Sequence, residues 1–82
     1  MSIRLYIKNL QGRSWQLTVC GSDTIYQGKQ KYKTISNSNN SDPQWKFGSQ
    51  VLKNDKTFDF YGFENDDNIT SNDRSEGGKK FN

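Results

Sequence analysis

The chain has no histidine, and its 82 residues include one cysteine, one proline and one methionine. The lone Cys20 excludes an internal disulfide and fits a reducing compartment. Without histidine and with one thiol, neither a zinc cluster nor a cysteine–histidine nucleophile pair can be assembled within the chain. No acid–base pair or metal-ligand spacing stands out either, so neither an enzyme, a cofactor nor a metal site is expected. Long apolar runs are missing too: nothing approaches the roughly 18 residues of a membrane-spanning helix. The opening MSIRLYIKNL carries charges through a strand-like pattern and does not read as a signal peptide. Hydrophobic residues are scarce at 29%, with a mean hydropathy of −1.10. Aromatics, at 13%, compensate in part, because a few large rings can fill a small core. One small domain follows, with a modest stability, within or below the usual ~5–15 kcal/mol.

Charge is present and uneven. Residues 1–56 hold nine Lys/Arg against three Asp/Glu, and residues 57–82 hold three against six, giving +6 and −3. A basic body with an acidic C-terminal third suits an acidic partner, but such a diffuse excess is not a nucleic-acid signature, and nucleic acid is not the expected partner.

Residues 2–8, SIRLYIK, alternate with Ile3, Leu5 and Ile7 on one face, which predicts a half-buried strand. RSWQLTV, residues 13–19, repeats the pattern with Trp15, Leu17 and Val19. Between them NLQG offers Gly12 for the positive φ of a bulged hairpin turn. Alternation points Cys20 away from the core, where it reads as a bystander with no base to activate it. In the next stretch Thr24 and Gln27 have the spacing of a capping box, so a helix should start at Ile25. Its apolar stripe is Ile25, Gly28, Tyr32 and Ile35, with Lys29, Lys31 and Lys33 read as a solvated face. Gly28 costs about 1 kcal/mol against alanine in a helix interior, a cost that close approach of the helix to a sheet would explain. The helix should fail near Ser36, before a polar loop ending at Pro43.

Further on, QWKF (44–47) reads as a strand, Gly48-Ser49 as a turn and Gln50 to Leu52 as a very short strand. Trp15, Trp45, Phe58 and Phe63 read as core, with Trp45 alternatively a partly exposed anchor. Thr57 to Tyr61 suits a single capped 3-10 turn, and Asn68 to Ser71 is a weak last strand. Residues 1–72 make the domain, and 73–82 a tail in which nothing can pack. On its own the tail's Gly77-Gly78 pair reads as flexible polar chain, and Lys79-Lys80 as its solvated end.

The order of two strands, helix, strand, short strand, turn and strand resembles the β-grasp fold, an α+β class with one helix packed across a mixed sheet. LYIKNLQGRSWQLTV, SDTI and QVLKNDKTFDFYGF bring the resemblance to ubiquitin and the ubiquitin-like modifiers. The register runs without a gap from Ile3 to Gly78. The resemblance implies a protein modifier that does no chemistry itself. An ATP-dependent activating enzyme would adenylate the carboxylate of Gly78, then pass it to an enzyme cysteine and on to a lysine of a target. Gly77 and Gly78 suit this because they lack side chains and thread a narrow channel. Lys79 to Asn82 would be an extension removed by a processing protease, and Arg74 stands where the activating enzyme reads an arginine. The implied setting is the cytoplasm or nucleus, and the implied state a monomer. Lys8, Lys29 and Lys31 match lysines that the family uses as acceptors.

Departures from the family pattern are as informative. The family's apolar receptor-binding patch falls here on Leu10, Lys46, Thr70 and Asn72, of which Leu10 alone is apolar. A patch with Lys46 at its centre cannot desolvate against the same apolar receptors. Glu76 replaces a basic residue beside the glycines. Ser71 falls where a buried leucine is usual, which predicts a frayed last strand or a stability lower by about 2–5 kcal/mol. A ubiquitin-like interaction module that binds through its sheet face and is never conjugated is the alternative.

Overall fold

The computed structural model describes residues 2–37 and 42–72, which form a five-stranded sheet crossed by one helix. Strands β1 (Ser2–Asn9) and β2 (Ser14–Cys20) form the expected antiparallel hairpin, from Ser2 opposite Cys20 to Lys8 opposite Ser14. Helix α1 (Ile25–Ser36) follows, then β3 (Gln44–Phe47), β4 (Gln50–Val51), the single-turn α2 (Phe58–Tyr61) and β5 (Asp67–Asn72). The sheet order is β2-β1-β5-β3-β4, with β1 and β5 parallel and the other pairs antiparallel. This is the mixed β-grasp sheet.

Local chemistry sets the boundaries. Gly12 takes φ +88° in the hairpin turn, a conformation that disfavours any residue with a Cβ. Thr24 caps α1 by accepting from the Gln27 amide, while the Gln27 side chain accepts from the Thr24 amide, the complete capping box. Asn37 ends the helix in the left-handed region. Thr57 caps α2 in the same manner, accepting from Phe60, and Gly62 closes the turn at φ +74°. That turn is α-helical, not the 3-10 turn expected, because Gly62 N–H reaches back four residues to the Phe58 carbonyl.

The core lies between the sheet and α1, built from Leu5, Ile7, Val19, Ile25, Tyr32, Trp45, Phe58 and Ile69. Tyr32 stands edge-on between Trp15 and Trp45, at ring separations of 5.5 and 5.8 Å. Gly28 is buried against the Phe58 and Trp45 rings, so the close approach that explains it is made to α2 as well as to the sheet. Trp45 is fully buried, which settles it as core.

Three readings need correction. Ile35 is 45% exposed, whereas Lys29 is buried at 4%. At about 100° per residue, Ile35 lies about 80° from the direction of Ile25, and Lys29 about 40°. The inward stripe therefore runs through Lys29 and Tyr32, and Lys29 is not on a solvated face. Its ammonium donates to Asp42 at 3.0 Å. The last strand, third, is not frayed: β5 pairs with β1 as far as Ser71 and with β3 as far as Asn72. Ser71 is fully buried there, and its hydroxyl accepts the Trp45 indole N–H at 3.1 Å. A serine in an apolar layer is compensated by an aromatic that brings a donor with it.

Candidate functional site

The outward face of the sheet carries the residues of the expected partner surface. Strand alternation turns Lys8, Thr70 and Lys46 to the same exposed side. Pairing then lines them up: Ser14 stands opposite Lys8, Lys8 opposite Thr70, Thr70 opposite Lys46, and Lys46 opposite Val51. One row thus crosses all five strands, with two lysines flanking Thr70. Asn72, half-buried, lies two residues along β5 from Thr70 and pairs with Gln44.

Leu10 is 52% exposed in the turn after β1. Asn9 fixes that turn, its side-chain oxygen accepting from the Gln11 and Arg13 amides at 3.0 and 2.9 Å. The Arg13 guanidinium sits 5.3 Å over the Trp15 ring, so its charge is spent partly on the hairpin itself. The structure therefore joins Lys46 and Thr70 directly, sets Asn72 along the same strand, and puts Leu10 at the mouth of the neighbouring hairpin.

Besides Ser14, two members of the row, Lys8 and Val51, are not legible in the sequence as partner residues. Lys8 was read as an acceptor lysine alone, because its place beside Thr70 depends on the parallel β1–β5 pairing, which a strand pattern does not reveal. Val51, 44% exposed, sits in a strand of two residues, too short for alternation to show a face. Neither Lys8 nor Lys46 has an ion-pair or hydrogen-bond partner among the described residues. Arg4 on the same face differs. It donates to Asp66 at 2.9 Å, and that hydrogen bond holds the Asp66 carboxyl below the usual carboxylate range.

The other candidate lysines are engaged. Lys29 is buried against Asp42, whose carboxyl is pulled below its ordinary value by hydrogen bonds from Asn54 and then Lys29, against its partial burial. Lys31 is half exposed and reaches the Thr18 carbonyl at 3.3 Å and Asp23 at 3.8 Å. Arg74, Gly77 and Gly78 lie outside the described residues, as does the extension 79–82. No three His, Cys, Asp or Glu side chains come together to hold a metal ion among the described residues. Among them no helix is long and apolar enough to cross a membrane.

A sequence profile described as the ubiquitin family matches residues 5–73. The chain belongs to the ubiquitin family. Its fold is also similar to that of the solved ubiquitin of Caldiarchaeum subterraneum, with a TM-score of 0.82 and 18% identity, over 95% of this chain and 100% of that one. No curated protein matches the sequence. For this ubiquitin-family chain the row on the sheet offers positive charge and hydrogen-bond donors, in keeping with the loss of apolar residues at Lys46, Thr70 and Asn72.

Proposed function

We propose that this ubiquitin-like protein is a modifier, attached through Gly78 to lysines of target proteins after residues 79–82 are removed. The observation that carries the reading is the family match over residues 5–73, followed in the sequence by Arg74 and Gly77-Gly78. The described fold supports it, since β5 occupies the sheet interior and ends at Asn72, with four residues between it and Gly77. The partners on this reading are an activating enzyme, a conjugating enzyme and a processing protease, and the setting is the cytoplasm or nucleus. Arg74 favours activation by the usual type of enzyme. Glu76 calls for an enzyme tolerant of an acid next to the glycines. On accessibility, Lys8 is the better acceptor within the chain, and the buried Lys29 is not proposed as one.

A second reading is a free interaction module, favoured by the unpaired Lys8 and Lys46 on the sheet face. Intact mass spectrometry of the full chain, incubated in lysate from its source, separates the two. Loss of residues 79–82, together with higher-mass adducts that need ATP and vanish for Gly78→Ala, supports the modifier. An unchanged mass, with no ATP-dependent adduct, leaves the module.

A further inference from the structure

We propose that the Lys8–Thr70–Lys46 row receives an acidic peptide segment of a partner protein, with carboxylates on the two lysines and an apolar side chain beside them. This rests on the sheet face being the recognition surface and adds the chemistry of what it recognises. It holds for a conjugated modifier and for a free module alike.

The argument starts from registry. Lys8 and Lys46 are second neighbours across β5, so their Cα atoms stand about 9.5–10 Å apart at the usual strand spacing. Thr70 between them is short and exposed, so the row has two cationic posts with a low polar saddle. Two lysines this close repel each other, and nothing among the described residues neutralises them. On the outward strand positions Arg4, Lys8 and Lys46 carry charge and no carboxylate does. Asp66, which serves Arg4, comes just before Asp67, the β5 residue opposite Leu5, and so lies toward the other end of β1 from Lys8.

Apolar surface borders both posts. Leu10 is 52% exposed in the turn beyond Lys8, and Val51 is 44% exposed opposite Lys46. An acidic peptide with a leucine or similar side chain would use both charge and apolar margin. A purely apolar peptide would have to strip water from two ammonium groups without replacing it. A nucleic-acid strand would find two cations where tracking a backbone requires a longer positive groove.

The test is amide chemical-shift perturbation of the isotope-labelled full chain. The probes are an end-blocked peptide of mixed glutamate and leucine, its glutamine counterpart and a short single-stranded oligonucleotide. The acidic peptide should shift Lys8, Thr70 and Lys46 at up to millimolar concentration, and less at high salt. Lys8→Glu with Lys46→Glu should weaken binding at least tenfold, while Lys33→Glu on α1 leaves it unchanged. Both lysines are exposed, so folding is retained and is checked from the spectrum. If the glutamine peptide shifts the same residues equally well, the acidic chemistry is wrong and the surface stands. No shift on the sheet from any probe overturns both. Tighter binding of the oligonucleotide than of the acidic peptide overturns the proposal in favour of nucleic acid. None of these outcomes touches attachment through Gly78, which intact mass reads separately.

Discussion

Replacing Gly28 with alanine sets two effects of opposite sign against each other in the middle of α1. Alanine in a helix interior is favoured over glycine by about 1 kcal/mol, because the unfolded chain loses freedom. A Cβ at position 28, however, would stand 2.5 Å from Cζ and 3.0 Å from Cε2 of Phe58, and 3.4 Å from the Trp45 ring. Both rings are fully buried, and Phe58 is backed by Phe63 at a ring separation of 5.6 Å, so neither can swing into solvent. Overpacking of this kind costs about 1–3 kcal/mol. The net expectation is a loss of about 1 kcal/mol, and hence a Tm lower by roughly 4–8 °C for a domain of this size. Equilibrium denaturation followed by far-ultraviolet circular dichroism reads it. The decisive comparison is the same change in a Phe58→Leu background, where Cζ and Cε2 are gone. There Gly28→Ala should become neutral or stabilising by up to about 1 kcal/mol. A stabilising effect in the wild-type background, or an equal loss in both, would refute the claim that the Phe58 ring dictates glycine.

Three further outcomes follow from the buried polar groups. Ser71→Ala leaves the Trp45 indole N–H in a fully buried site without its hydroxyl acceptor, and should destabilise by about 1–3 kcal/mol. Ser71→Thr, which keeps the hydroxyl, should cost less, and equal costs would contradict the pairing. The Asp42 carboxyl is held below its ordinary value in the folded state, so its contribution is full above pH ~4 and is lost as pH falls through the folded value. Asp42→Asn should therefore flatten the acid limb of a stability–pH profile. It also strands Lys29, at less than the roughly 3–5 kcal/mol of a fully buried pair, since the Asp42 side chain is 58% exposed. An unchanged acid limb would rule out Asp42 as its source. Brief acetylation read by mass spectrometry should label Lys8 and Lys46 well before Lys29, and prompt labelling of Lys29 would contradict its burial.

Much of the fold was legible because it rests on local rules. Ile3, Leu5 and Ile7 alternate, Thr24 and Gln27 are spaced for a capping box, and Gly12 sits where a turn needs positive φ; each effect operates over a few residues. Lys29 and Ser71 escaped because their compensating partners are distant, Asp42 at 13 positions and Trp45 at 26. A buried lysine and an exposed one look alike until the loop carrying the counter-charge is placed. The candidate surface was legible through the resemblance for Lys46 and Thr70, and extended to Lys8 when the parallel β1–β5 pairing was known. Its chemistry was legible in the sequence as the loss of apolar residues, but the unpaired state of the two lysines depends on how the strands are placed.

The central claim is attachment through Gly78, and the sequence supplies its own label for it. Trypsin cuts after Arg74, so every modified target lysine should retain a branch of Ser75-Glu76-Gly77-Gly78. Tagged full-length chain is added to lysate from its source, with and without ATP, and tryptic digests are searched for that branch. The account predicts branched lysines on other proteins, dependent on ATP and absent for Gly78→Ala. Digests without the branch, in which the chain's own peptide from Ser75 still runs through Gly78 into Lys79, or ends at Gly78 without attachment, would contradict it.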